Sequence, residues 1–220
     1  MQTLKQGGWL MRSCLGVLAA TTLWLAVFGA GSAHADVLRT GDDYGVLVGS
    51  AAAPVQLEIF CEPQCPHCAE LESTYGDRIA AGLAGGRLAV TYRWLTFLDD
   101  KHHNDVSARI SNALFSAADP TTPATAYQAL VQDLYRHQSP DGPDNDDIAA
   151  MARESGAPEV VADRIAAGNQ AVDAAALNDA NRARLKEENP QDPGTPTVYN
   201  LNTKSVVDLQ DPGWLDELIS

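Results

Sequence analysis

At 220 residues, 45% of them hydrophobic and 20% charged, the chain is long enough for one domain with an insertion and apolar enough to bury a core. Its 29 Asp and Glu outnumber its 15 Lys and Arg, and the resulting net charge of −14 argues against nucleic acid or an anionic membrane surface as partner. No stretch repeats at a fixed period, so a solenoid is excluded.

The first residues read as an export leader. Lys5 and Arg12 precede an apolar run over residues 15–30, and Ala33-His34-Ala35 supplies a small-x-small cleavage site, so residues 1–35 are expected to leave as a signal peptide. The run is shorter than the ~20 apolar residues of a membrane span, although a leader retained uncleaved would anchor the chain. Cys14 lies before that run, the wrong side for a lipid attachment site, and is expected to leave with it. The expected compartment is extracytoplasmic, a periplasm or cell envelope, where disulfides form and persist. Cys61, Cys65 and Cys68 remain there.

Residues 46–48 suggest a short edge strand, 49–54 a loop and 55–60 an apolar strand. Cys65 fits a helix N-cap and Pro66 the first helical position, where the missing N–H costs nothing. Cys68, Leu71, Tyr75, Ile79 and Leu83 recur at helical spacing until Gly85-Gly86, and residues 88–95 form the next strand. A strand, helix, strand unit of this kind implies parallel pairing. Helices are expected over 106–118, 126–137, 147–154, 158–167 and 169–187, with a proline and glycine break at 139–143. Strands return at 197–201 and 205–209, and a closing helix follows Pro212, so residues 105–190 read as a helical insertion between two parts of one α/β domain, 36–104 and 191–220.

The chemistry lies in Cys65-Pro66-His67-Cys68. A cysteine at a helix N-terminus feels the positive end of the dipole and unpaired N–H groups, which favour thiolate, and His67 offers a further donor or charge. Cys65 is expected to be the exposed attacking sulfur and Cys68 the resolving one, and stabilising the thiolate would make their disulfide the stronger oxidant. A two-residue loop stabilises little as a staple, which favours turnover.

The segment 60–68, the long helical stretch and then Gly194-Thr195-Pro196-Thr197 together resemble the DsbA-like branch of the thioredoxin superfamily. The resemblance implies a thioredoxin-like fold with a central mixed sheet and a helical insertion. It also implies a cis-proline loop at Pro196 with Thr195 offering its backbone to an extended client. The expected function is a protein thiol-disulfide oxidoreductase, acting as an oxidase on unfolded exported proteins, without cofactor or metal, and reoxidised by a quinone-linked membrane enzyme of the DsbB or VKOR-like kind. A reductase or isomerase of the same fold is the near alternative.

Three departures stand out. The buried relay acid that the family often carries six residues before the first cysteine is Ile59 here; Glu58 should face the opposite side of its strand, and Glu62 is either a substitute for that acid or, the favoured reading, a solvated loop residue. Threonine precedes the candidate cis-proline where DsbA has valine, a choice shared with isomerase-type relatives. Cys61 completes C-x3-C-x2-C, a spacing shared with the clusters of radical-SAM enzymes, and Cys61 with Cys65 resembles the copper site of SCO-type assembly proteins. A copper site would need a distant histidine, His102, His103 or His137. The bland reading of Cys61 is a buried unreactive thiol.

Overall fold

The structure, a computed structural model, describes residues 36–220, so the expected leader and Cys14 lie outside the described residues. Six strands form one sheet in the order β1-β2-β4-β3-β5-β6: β1 Asp36–Arg39, β2 Val46–Gly49, β3 Val55–Cys61, β4 Leu88–Trp94, β5 Thr197–Asn200 and β6 Ser205–Val206. β3 and β4 pair in parallel, as the intervening helix requires, and the other neighbours are antiparallel. β2 is therefore not the edge strand expected for residues 46–48. Residues 36–39 add a strand outside it that is too short and too mixed in polarity to stand out in the sequence.

Helix α1, Pro66–Ala84, runs from Cys65 at its N-cap to Gly85 and buries Cys68, Leu71, Tyr75, Ile79 and Leu83 against the sheet. Between β4 and β5 come α2 Phe97–His102, α3 Val106–Ala117, α4 Ala124–Arg136, α5 Asn145–Glu154, α6 Glu159–Ala166 and α7 Ala174–Glu188; α8 Trp214–Ile219 closes the chain. Among the described residues, no helix is long and apolar enough to cross a membrane.

Two of these helices differ from expectation for local reasons. α7 starts five residues later than its pattern suggests, because the Asp173 side chain accepts from the N–H groups of Ala175 and Ala176 and sets the N-terminus there. The stretch before it is instead pinned as loop by Asn112, which donates to the Asn169 carbonyl and accepts from Ala171 N–H. α2 falls between the strand expected at 88–95 and the helix expected at 106–118, where no element is expected. It is a single short helix ended by His103 at φ +57°, and its Asp99 carboxylate accepts from the N–H groups of Ser107 and Ala108, capping α3 from outside.

The sheet is covered on both faces. On one, Leu57, Ile59 and Cys61 of β3 and Tyr92 and Trp94 of β4 meet α1 and α4 in the main core. On the other, Phe60 and Leu95 pack with Leu185 of α7. Alternation along β3 points Glu58 to that second face, where the buried carboxylate accepts from Arg93 at 2.5 Å and from Arg184 at 2.8 Å. Arg93 also reaches Asp42 at 2.7 Å, so its guanidinium is paired although almost wholly buried.

Because a buried ion left without its partner keeps its desolvation cost, Glu58→Gln should lower stability in urea denaturation by about 3 kcal/mol, the low end for a broken buried pair since Asp42 still holds Arg93. Arg184→Met, at a side chain 37% exposed, should cost about 1 kcal/mol or less. Equal costs for the two would contradict this account of the cluster.

Candidate active site

β3 hands over to α1 within four residues, and this turn holds the dithiol. Cys65 N–H donates to the Glu62 carbonyl at 2.9 Å, and Ala69 N–H to the Cys65 carbonyl at 3.2 Å begins the helix. Cys65 has extended backbone with Pro66 directly after it, as the sequence predicts. The insertion grips the same turn from outside: Gln138 donates to the carbonyls of Pro63 (2.7 Å) and Cys65 (3.1 Å), and Tyr135 Oη donates to that of Glu62.

Cys65 is 7% exposed, and its sulfur lies 3.4 Å from the Thr195 carbonyl oxygen. The Thr195–Pro196 peptide bond is cis. Thr195 and Pro196 line a groove of about 420 Å³ together with His67, Leu71, Tyr75 and Leu209. Cys68 is fully buried behind Cys65 and in hydrogen-bonding contact with it. His67 is exposed, and its ring faces Glu70 at 3.6 Å rather than a sulfur.

All three thiols are free in this structure. The helix N-terminus does favour charge on Cys65, since the Cys68 N–H points at its sulfur, but that effect loses. Its hydrogen bond with Cys68 and then burial push the Cys65 thiol up, and burial foremost pushes Cys68 up. The strong thiolate stabilisation expected from helix position alone is therefore opposed by the depth at which the helix start sits.

Glu62 is not a solvated loop residue. It is fully buried, and its carboxylate accepts from Gln64 N–H at 2.6 Å and from the Ser107 hydroxyl, which ties the dithiol turn to α3. Burial pushes its pKa up to about 7. Gln64 extends the tie, donating to Asp99, Asn104 and Ser107 and accepting from Asn104. Ser107, Asp99 and Gln138 are site-supporting residues that the sequence pattern does not reveal, because each acts from far along the chain.

Glu72 was also hidden, although its signal was present: it lies four residues after Cys68, on the same helix face. It is buried beneath the dithiol with Tyr92 Oη at 3.0 Å, while Gln128 Nε2 donates to its other oxygen at 2.8 Å and Tyr92 Oη stands 2.6 Å from Gln128 Oε1. A protonated Glu72 closes this triangle: it donates to Tyr92, Tyr92 donates to Gln128, and Gln128 donates back. An ionised Glu72 would claim the tyrosine proton and leave two oxygens facing each other. Burial pushes the Glu72 carboxyl up to about 7, in the same sense.

The copper alternative needs a histidine beside Cys61 and Cys65. His102 bonds Gln64 at 3.0 Å and His137 bonds the Asp133 carbonyl at 2.9 Å, both at the surface, while His103 ends α2. Among the described residues, no group of three His, Cys, Asp or Glu side chains is arranged to hold a metal ion.

A family model described as thioredoxin matches residues 42–220. The chain belongs to this family. Its fold is the DsbA-like form. The MdbA protein of Corynebacterium diphtheriae, a thiol-disulfide oxidoreductase, superposes with a TM-score of 0.69 at 21% identity, covering 87% of this chain and 96% of that one. Reduced DsbG of Mycobacterium tuberculosis superposes at 0.61 and 21% identity over 78% of this chain and 84% of its own. Reduced DsbA of the same organism does so at 0.58 and 20% identity, over 80% and 92%. By sequence, 85% of this chain is 34% identical to the serine/threonine-protein kinase PknE of Mycobacterium tuberculosis. The chain spans about a third of that longer protein.

Since Glu72 holds its proton more tightly folded than unfolded, its contribution is fully present below about pH 4.5 and is lost as pH rises toward 7. A glutamine can complete the same triangle without ionising. Glu72→Gln should therefore gain stability over wild type between pH 5 and pH 8, on the order of 3 kcal/mol in urea denaturation. An unchanged difference at the two pH values would contradict the assignment.

Proposed function

We propose that this chain is a thiol-disulfide oxidoreductase that exchanges a Cys65–Cys68 disulfide with client proteins outside the cytoplasm, in the oxidising direction. The observation that carries the reading is the stacking in depth of the two sulfurs: Cys65, 7% exposed, against the Thr195 carbonyl whose residue lines a groove with Pro196, and Cys68 fully buried behind it. A client thiolate attacks Cys65 Sγ, the Cys65–Cys68 bond breaks, and Cys68 leaves with the electron pair and takes a proton. A second client thiolate then attacks the client sulfur of the mixed disulfide, releasing an oxidised client and the reduced dithiol.

In this reading Thr195 and Pro196 dock an extended client segment, Pro66 fixes the helix start, and His67 tunes the potential from the rim. Residues 36–104 and 191–220 make the thioredoxin-like body and 105–190 the helical insertion. Export by the leader, unfolded exported proteins as clients, and reoxidation by a quinone-linked membrane enzyme of the DsbB or VKOR-like kind belong to the same proposal. The kinase activity named for the longer relative is not part of it.

The burial of both sulfurs tempers the oxidising strength. The reduction potential is expected between about −120 mV, typical of the strongest oxidases, and about −270 mV, typical of thioredoxin. The oxidised protein should introduce disulfides into a reduced, unfolded substrate, and Cys65→Ser should abolish this. Equal yields from wild type and Cys65→Ser would overturn the proposal.

A further inference from the structure

Cys61 has no part in the two-cysteine cycle, yet it is not an isolated thiol. It ends β3 on the face that α1 covers, because Leu57, Ile59 and Cys61 alternate inward, and it is fully buried. Its side chain is in hydrogen-bonding contact with Cys68 and with Tyr135, and Cys68 is in turn in contact with Cys65. The Glu62 N–H also points at the Cys68 sulfur. Cys68 therefore neighbours both other sulfurs, Cys65 toward the cis-proline loop and Cys61 at the end of β3. In thiol-disulfide exchange the central sulfur meets both the attacking and the leaving one, and Cys68 has both as neighbours.

We propose that Cys61 is a third redox-active residue, exchanging with the Cys65–Cys68 disulfide to form a buried Cys61–Cys68 disulfide and a free Cys65. The Cys61–Cys68 bond forms as the Cys65–Cys68 bond breaks. Cys61 gives up its proton, Cys65 gains one at the groove, and no outside oxidant or reductant is consumed. The inference rests on the Cys65–Cys68 disulfide of the proposed function and adds a second oxidised form to it.

The two forms do different chemistry. With Cys65–Cys68 closed, the protein accepts electrons from a client dithiol. With Cys61–Cys68 closed, Cys65 is a thiol at the client groove that can attack a client disulfide. Its usual resolving partner is then occupied, so the mixed disulfide persists until a thiol of the client itself displaces Cys65. That is the chemistry of isomerisation, supplied by the same chain without a second subunit. Cys61 cannot meet clients directly, since it is fully buried.

The test is to oxidise the full chain with oxidised glutathione, quench in acid, alkylate free thiols under denaturation, then reduce and alkylate with a second reagent. Residues 40–78, bounded by Arg39 and Arg78, form one tryptic peptide carrying all three cysteines, and its fragmentation assigns each label. The expected result is a population, about one oxidised chain in twenty or more, in which Cys65 carries the first label and Cys61 and Cys68 the second. In Cys61→Ala that population should vanish. A wild-type sample in which fewer oxidised chains show this pattern, or a Cys61→Ala sample that retains free Cys65 at the wild-type level, would overturn the exchange. The Cys61→Ala sample also separates the two ideas. If no Cys65–Cys68 disulfide forms there, the oxidoreductase reading itself falls; if it forms while wild type lacks the second form, only the exchange falls.

Discussion

The structure depends on the tight handover from β3 to α1. A strand in the middle of a sheet must become a helix within four residues and deliver two sulfurs at different depths, one against the cis-proline loop and one deeper in the core. The chain does this by burying an acid in the turn. The Glu62 carboxylate takes the Gln64 N–H and the Ser107 hydroxyl, its carbonyl takes Cys65 N–H and Tyr135 Oη, and Gln138 of the insertion closes over the carbonyls of Pro63 and Cys65. Buried polar groups of this kind are costly unless fully satisfied, and a satisfied set fixes one geometry. The helical insertion thus serves as the clamp that makes the active-site turn rigid.

The same depth sets the electrostatics. A helix N-terminus at the surface would stabilise a thiolate, but here Cys65 is almost wholly covered and Cys68 fully so. Below them, Glu72 and Tyr92 form a polar core whose satisfied form is the neutral one. Glu62 and Glu72 both have pKa values near 7, so the ground beneath the dithiol changes charge around neutral pH. On the opposite face of the sheet the buried acid is paired with two arginines: Glu58 with Arg93 and Arg184. The fold thus accommodates a buried carboxyl in two ways, a proton at Glu72 and an ion pair at Glu58.

Much of this was legible in the residues. The apolar run of β3, the N-cap at Cys65 with Pro66 after it, and the inward stripe of α1 all follow from local periodicity and turn chemistry, and strand alternation correctly sent Glu58 away from the dithiol. The placement of Pro196 beside Cys65 was legible only through resemblance. What stayed hidden is what depends on distant partners. Glu62 looks like a solvated loop residue until Ser107 of α3 is placed against it, and Glu72 reads as the polar side of α1 until Gln128 of α4 and Tyr92 of β4 enclose it. α2 escaped notice because a single short helix carries too few residues for a period, and β1 because its partner, not its composition, makes it a strand.

The central claim is that Cys65 is the one sulfur that meets clients while Cys68 and Cys61 stay behind it. Its most direct measurement is a trapping experiment with Cys68→Ser and a client peptide carrying an activated disulfide, followed by mass mapping of the linkage. The account predicts a single stable mixed disulfide through Cys65. A linkage through Cys61, or none at all, would contradict it.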